Sequence, residues 1–250
     1  MEFIGAGGWA YFRVRGEDAL AAYARAFRFV EVNTTFYRHP SRRRVAEWRR
    51  GVPEDFTFAV KCHRTVTHAA GLAPTAPALE AFSRSLAVAH AVRAPVLVLE
   101  VPATLRFTAE AIRGMTALLA SADRRGVTLA LEARAHATGD LPPPLERAMR
   151  DLAVIDCTDY SRQAPRIEND LAYTRLLGKG EHNRWVFSDD ELRAIDAAAR
   201  HAGAERAFFT FHGVRMYRDA ARFLTFKRTG RFPMELPEGQ ERLPEAQALA

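Results

Sequence analysis

Short apolar runs alternate with longer stretches whose apolar residues fall three and four apart, so strand-like and helix-like patterns succeed one another along the chain. The strand-like runs are residues 2–7, 29–33, 57–61, 96–101, 128–134, 153–156, 172–176 and 206–211. The spacing predicts helices over 18–27, 42–49, 78–91, 108–124, 143–150, 189–201 and 217–227. Between the sixth and seventh strands, residues 160–171 show only a loop-like or short helical pattern, so an irregular sixth helix is expected. Ser188 followed by Glu191 reads as a capping box, and Thr108 as an N-cap.

Eight strand and helix units in 250 residues match an α/β fold of one (β/α)8 TIM barrel, with a doubly wound sheet as the alternative. No composition break or flexible linker divides the chain, so residues 1–230 are expected to form the barrel domain. Residues 231–250, with Pro233, Pro237 and Pro244 among Glu and Gln, read as an extended or partly disordered tail.

In a barrel strand, alternate residues face the helices and the barrel axis, and polar groups facing the axis are tolerated near the carboxyl-terminal mouth. Val30 and Val32 suit the helix side, which turns Glu31 and Asn33 inward; Phe58 and Val60 likewise turn Lys61 inward. Leu129 and Leu131 leave Glu132 and Arg134 together on the inner face. Glu100, Asp156, Arg175 and His212 add one charged or imidazole group each at further strand ends. Burying such a set in one mouth is costly unless its members pair with each other or with a ligand. The pattern therefore reads as a functional site, with an interior salt-bridge network that only fixes register as the alternative.

Lys61, Arg134 and Arg175 are donors suited to a phosphate or carboxylate. Glu31, Lys61, Glu132 and Asp156 are the expected catalytic groups, with Glu31 and Glu132 available as acid and base and Lys61 also open to Schiff-base chemistry. Glu100, Glu132, Asp156 and His212 form the expected ligand set for a divalent metal, Mg²⁺ or Mn²⁺, with His68 and His63 as further nitrogen donors. Trp9, Asn33, Tyr37 and His68 join the two arginines as expected substrate contacts, Trp9, Phe36 and Tyr37 offering an aromatic wall. Gly5 to Trp9 follows the first strand without the full dinucleotide-binding spacing; a Walker motif, a nucleophile elbow and an HExxH motif are all absent.

The chain is 48% apolar and 26% charged, a globular balance. Its formal net charge of +6 admits anionic partners, a small molecule or nucleic acid. Yet Lys61, Lys179 and Lys227 are its only lysines, which points to arginine-rich coding rather than a nucleic-acid footprint. Cys62 and Cys157 match neither a zinc spacing nor a disulfide framework and read as buried, inert thiols. With no leader-like start and no membrane-length apolar run, a cytoplasmic protein is expected, without a membrane or an evident protein partner. The scarcity of Asn and Gln is compatible with a thermophilic source.

Several of these segments carry a resemblance. GAGGW (5–9), YARAFRFVEVNTTFYRHP (23–40), FTFAVKCHRTVTH (56–68), LEARAH (131–136) and YTRLLGKG (173–180) resemble the DUF72 (YecE-like) family, whose name carries no reaction. The resemblance implies a (β/α)8 barrel and marks Glu31, Asn33, Tyr37, Lys61, His68, Glu132, Arg134, Asp156 and Arg175 as the family-like set. The chain departs where the family has Gln-x-Pro-Pro and this sequence reads Glu100-Val101-Pro102-Ala103. It departs again at Leu177-Gly178, where the family has His-Gly, and at His212-Gly213, where the family has Asn-Asn. The added carboxylate and imidazole raise the prospect of a branch-specific metal site.

Chemistry then orders the functions. The first is metal-assisted phosphodiester hydrolysis, by a nuclease or nucleotide phosphodiesterase, because basic charge and clustered carboxylates both suit it. The second is a sugar-phosphate isomerase or aldolase-like lyase using Glu and Lys. The third is a barrel that binds a ligand or RNA without turnover.

Overall fold

Eight apolar strands pair in chain order and in parallel: β1 (Glu2–Ala6), β2 (Phe29–Val32), β3 (Thr57–Lys61), β4 (Val96–Val101), β5 (Thr128–Ala133), β6 (Val154–Thr158), β7 (Leu171–Leu176) and β8 (Arg206–Phe211). β8 returns to β1, closing the barrel. This computed structural model describes residues 1–180 and 183–233. The expected tail falls outside them from Met234 onward.

Seven α-helices cover the barrel among the described residues: α1 (Ala19–Ala26), α2 (Arg42–Arg50), α3 (Ala76–Ala91), α4 (Ala109–Ala120), α5 (Pro143–Asp151), α6 (Asp189–His201) and α7 (Met216–Thr229). Their starts follow the capping chemistry: Asp18, Ser41, Thr75, Thr108 and Ser188 each accept from backbone N–H groups of the first turn, and Ser188 forms the capping box with Glu191. α4 stops short of the expected Arg124 because Asp123 turns the chain by accepting from Arg125 N, and Arg125 and Gly126 both take positive φ.

No helix joins β6 to β7 among the described residues. In its place, residues 159–170 form a loop pinned by two side chains. Asp159 accepts from the backbone N–H groups of Ser161, Leu177 and Gly178 at 2.8–3.0 Å, and Arg166 reaches back to Asp156. Tyr160 and Ile167 of this loop are buried and supply the apolar cover that a helix would have given.

The strands separate two cores. Outside, Val30, Val32, Phe58, Val60, Leu129 and Leu131 pack on the helices. Inside, Phe29, Ala59, Val98, Ala130, Tyr173 and Phe208 fill the barrel, with Phe208 stacked on Phe3 at 4.4 Å between centroids. This apolar floor fixes the mouth above it. Two residues on from each inner position stand Glu31, Lys61, Glu100, Glu132, Arg175 and Thr210, so the period-2 rule that fills the barrel also aims these groups upward around the axis.

The β1–β2 seam is short, pairing only Gly5 with Phe29 and Ala6 with Val30. The buried Tyr23 hydroxyl completes it, accepting from Ala6 N at 2.8 Å and donating to Phe29 O at 2.7 Å. A side chain at Gly5 would sit 2.0 Å from Phe29 O, so only glycine lets the strands approach.

Candidate active site at the barrel mouth

Arg175 occupies the centre of the mouth. Rising from β7 and buried, its Nη1 donates to Glu100 Oε2 at 2.8 Å and to Glu132 Oε2, and its Nε donates to Glu31 Oε2 at 3.2 Å. Three carboxylates from β2, β4 and β5 thus share one guanidinium. Burial alone would favour its neutral form, but Glu132, Glu31 and Glu100 hold its pKa well above the usual arginine value.

Glu100 and Glu132 are register partners on adjacent strands, where two like charges would repel. Two arginines bridge them. Arg175 takes one oxygen of each, and Arg134 takes the others, with Nη1 3.0 Å from Glu100 Oε1 and Nε 3.0 Å from Glu132 Oε1. Lys61 Nζ pairs with Glu100 Oε2 and lies 4.2 Å from the centroid of the Phe36 ring. Glu31, Glu100 and Glu132 are therefore balanced by Lys61, Arg134 and Arg175 within the site.

The electrostatics follow from that arrangement. Burial raises the Glu31 carboxyl, but Arg175, with His212 and Lys61, more than offsets it and keeps Glu31 ionised far below the ordinary carboxylate range. Burial opposes Glu100 in the same way, yet Arg175, Lys61 and Arg134 bring it down to about 2. Burial and Arg175 together lower Lys61, against the pull of Glu100 and Glu31. His212 is lowered by burial and Arg175, which keeps the imidazole neutral at pH 7.

His212 sits just after β8 with Nε2 3.2 Å from Arg175 Nε and 3.5 Å from Glu31 Oε2. Asn33 fixes the turn after β1 by donating from Nδ2 to Gly7 O at 2.5 Å. A Cβ at Gly7 would lie 2.2 Å from His212 Nδ1, so glycine here lets the imidazole seat against the backbone. The glycine-rich segment thus serves side-chain packing in the mouth.

Of the expected residues, Glu31, Asn33, Lys61, Glu100, Glu132, Arg134, Arg175 and His212 come together, and His68 joins at the rim, its Nε2 4.0 Å from Glu100 Oε1. Asp156 does not. Its neighbours Ile155 and Cys157 face the barrel interior, so Asp156 points out, where Arg166 holds it with Nε and Nη2 at 2.8 Å and its backbone N at 2.9 Å. The strand parity explains it: Val154, two residues earlier, packs in the outer core, so Asp156 shares that outward face, and β6 runs on past it to Thr158. Trp9, half-buried, packs edge-on against Trp48 of α2 at 5.4 Å. Tyr37 is 70% exposed beside Phe36 at the rim, and His63 stacks on His39 at 4.4 Å, apart from the carboxylates.

The donor chemistry does not fit the expected metal set. Arg175 stands between Glu100 and Glu132, and Asp156 faces away. Among the described residues no group of three or more His, Cys, Asp or Glu is arranged to hold a metal ion. Cys62 and Cys157 are free and buried, and burial pushes both thiols up, Cys62 to about 12, in keeping with inert thiols.

Two contributors, Tyr173 and Thr35, escaped the sequence reading, and Phe36 serves Lys61 rather than a substrate wall. Tyr173 donates to Glu31 Oε2 at 2.9 Å from below, Thr35 Oγ1 donates to Lys61 O at 2.7 Å, and Phe36 carries the Lys61 ammonium. Tyr173 had a signal, since it precedes Arg175 by two on the same inner face.

No helix among the described residues is long and apolar enough to cross a membrane. Solved structures share the barrel. A DUF72 family protein from Thermotoga maritima superposes with a TM-score of 0.71 at 20% identity, covering 91% of this chain and 99% of that one. Another, from Enterococcus faecalis, gives 0.70 at 16% identity over 92% and 98%. The UPF0759 protein YecE of Escherichia coli strain K12 is 40% identical over 74 residues, 29% of this chain and 27% of that relative. The alignment thus spans about a quarter of the curated relative's length. The profile of the "protein of unknown function DUF72" family matches residues 3–241, nearly the whole chain, and with the barrel above it the chain belongs to the DUF72 family.

Proposed function

We propose that the protein is an enzyme whose barrel mouth binds a small phosphorylated substrate and moves a proton at one of its carbon atoms. The observation that carries this reading is the setting of Lys61. It is a buried ammonium at the mouth, lowered by burial and Arg175, wedged between Glu100 and the Phe36 ring. A lysine so placed is suited to proton transfer or to Schiff-base chemistry with a carbonyl. Glu132 is the accompanying base, and Arg134 and His68, the more open cationic and imidazole groups, face an incoming anion. Glu31 and Glu100 stay ionised and act as fixed counter-charges. The reaction classes that use these parts are isomerisation and aldol-type cleavage.

Metal-assisted phosphodiester hydrolysis, on a nucleotide or nucleic acid, is the second reading. The net charge of +6 favours it; the Arg175 guanidinium between the carboxylates weighs against it. A barrel that binds such a ligand or RNA without turnover is the third.

Thermal-shift titration with inorganic phosphate and small phosphorylated compounds, followed by solvent-deuterium uptake into any that bind, tests the first reading. Lys61→Met is expected to weaken phosphate binding, and Glu132→Gln to abolish deuterium uptake with little loss of binding. Equal loss of both in Glu132→Gln removes its catalytic role. Cleavage of bis-p-nitrophenyl phosphate that depends on added Mg²⁺ or Mn²⁺ moves the assignment to hydrolysis.

A further inference from the structure

Within the charged mouth, polar atoms of β2, of the turn that follows it and of β8, the strand on the far side of β1, lack hydrogen-bond partners among the described residues. Glu31 Oε1 is buried and unpartnered, although Glu31 Oε2 accepts from Tyr173 and Arg175. Asn33 Oδ1, at the start of the tight turn that follows β2, is also buried and unpartnered. Its orientation is fixed, because the amide nitrogen must face Gly7 O, which can only accept. The Thr210 hydroxyl, two residues before His212 and beside the Tyr173 hydroxyl, is the third buried atom without a well-formed hydrogen bond.

Each buried orphan costs about 1–3 kcal/mol, so three around one imidazole call for a common explanation. The set comprises two acceptors and one hydroxyl that can give or take a proton. It is complementary to a ligand rich in donors. Arg175 and Lys61 stand close by and disfavour a ligand ammonium, which leaves hydroxyl groups.

We infer that the floor formed by Glu31, Asn33 and Thr210 is a subsite for the vicinal hydroxyls of a polyhydroxylated substrate. The inference rests on the phosphorylated-substrate reading and adds the other end of the molecule. The hydroxyls bind where β2 and β8 flank β1, and the phosphate binds at the rim by Lys61, Arg134 and His68.

The test compares sn-glycerol 3-phosphate with n-propyl phosphate, which has the same carbon chain and no hydroxyls, using inorganic phosphate as reference. Glycerol 3-phosphate is expected to bind at least about tenfold more tightly than propyl phosphate. Thr210→Val, which keeps the side-chain volume, should cut that ratio severalfold, and Asn33→Leu should bring it near one. If the two esters bind equally to the native protein, the hydroxyl subsite is refuted while the phosphate reading stands. If neither ester nor inorganic phosphate binds, both fall. A ratio that survives in Thr210→Val and in Asn33→Leu places hydroxyl recognition elsewhere and also overturns the inference. The native comparison alone decides the matter should a variant fail to fold.

Discussion

Arg175 Nη1 crosses the barrel from β7 to donate to Glu100 Oε2 on β4 at 2.8 Å, and the same nitrogen reaches Glu132 on β5. One buried guanidinium thus ties strands that are not neighbours in the sheet. Arg175→Met is expected to leave Glu31, Glu100 and Glu132 without their shared cation and to cost about 3–5 kcal/mol at pH 7. The deficit should shrink at pH 4, where freed carboxylates take up protons. Urea unfolding of both proteins at the two pH values checks this; a deficit independent of pH would sink the shared-cation account.

Glu100 gives a second prediction. Its folded pKa of about 2 lies below the ordinary 4.5 because Arg175, Lys61 and Arg134 outweigh burial. A depressed carboxylate adds stability above its unfolded pKa, and that stability is lost as pH falls through the folded value. Native protein should therefore lose stability between about pH 4.5 and 2, and Glu100→Gln should lose less over the same window. Parallel chemical-unfolding curves through that range are the measurement.

Much of this site was legible from alternation alone. Val30 and Val32 turn Glu31 inward, and Leu129 and Leu131 turn Glu132, because a strand has only two faces. The cross-barrel pairing was not legible: which carboxylates Arg175 meets depends on strand stagger and tilt, which local pattern does not encode. Asp156 went astray because a place at a strand end is not enough to aim a side chain, and alternation with outward Val154 already turns it away from the axis. The helix between β6 and β7 was expected to be irregular, and the loop pinned by Asp159 and Arg166 replaces it.

That loop supplies a third prediction. Arg166 neutralises buried Asp156 and also donates to His136 O at 2.7 Å and Gly139 O at 3.0 Å, joining the loop after β6 to the loop after β5. Arg166→Ala is expected to leave Asp156 an uncompensated buried charge and cost about 3–5 kcal/mol. Amide exchange should quicken in residues 159–170 before the barrel strands are affected. Unchanged exchange there would show that Arg166 does not pin the loop.

Tyr23 tests how the barrel closes. Its hydroxyl is the bridge between Ala6 N and Phe29 O, so Tyr23→Phe removes a partner from two buried backbone groups while keeping the ring in place. A loss of about 1–3 kcal/mol is expected. Exchange at Ala6 N should rise. A stability change well under 1 kcal/mol would mean that the seam closes without the hydroxyl.

Asp219 behaves oppositely to Glu31 and Glu100. It is buried in the first turn of α7, and burial raises its pKa from 3.8 to about 6 despite Arg222, Arg215 and Arg218. A carboxyl raised on folding favours the folded state only while protonated: its contribution is full below pH 3.8 and disappears as pH rises through about 6. The displacement corresponds to about 3 kcal/mol. Asp219→Asn keeps the hydrogen-bonding shape and removes the titration, so the variant should gain on the native protein between pH 4 and 6 and hold that gain above. Unfolding free energies of both proteins from pH 4 to 8 give the answer. A difference that is flat across this window would mean that Arg222 and its neighbours fully compensate the buried charge, and the pH dependence would then have to arise elsewhere in the barrel.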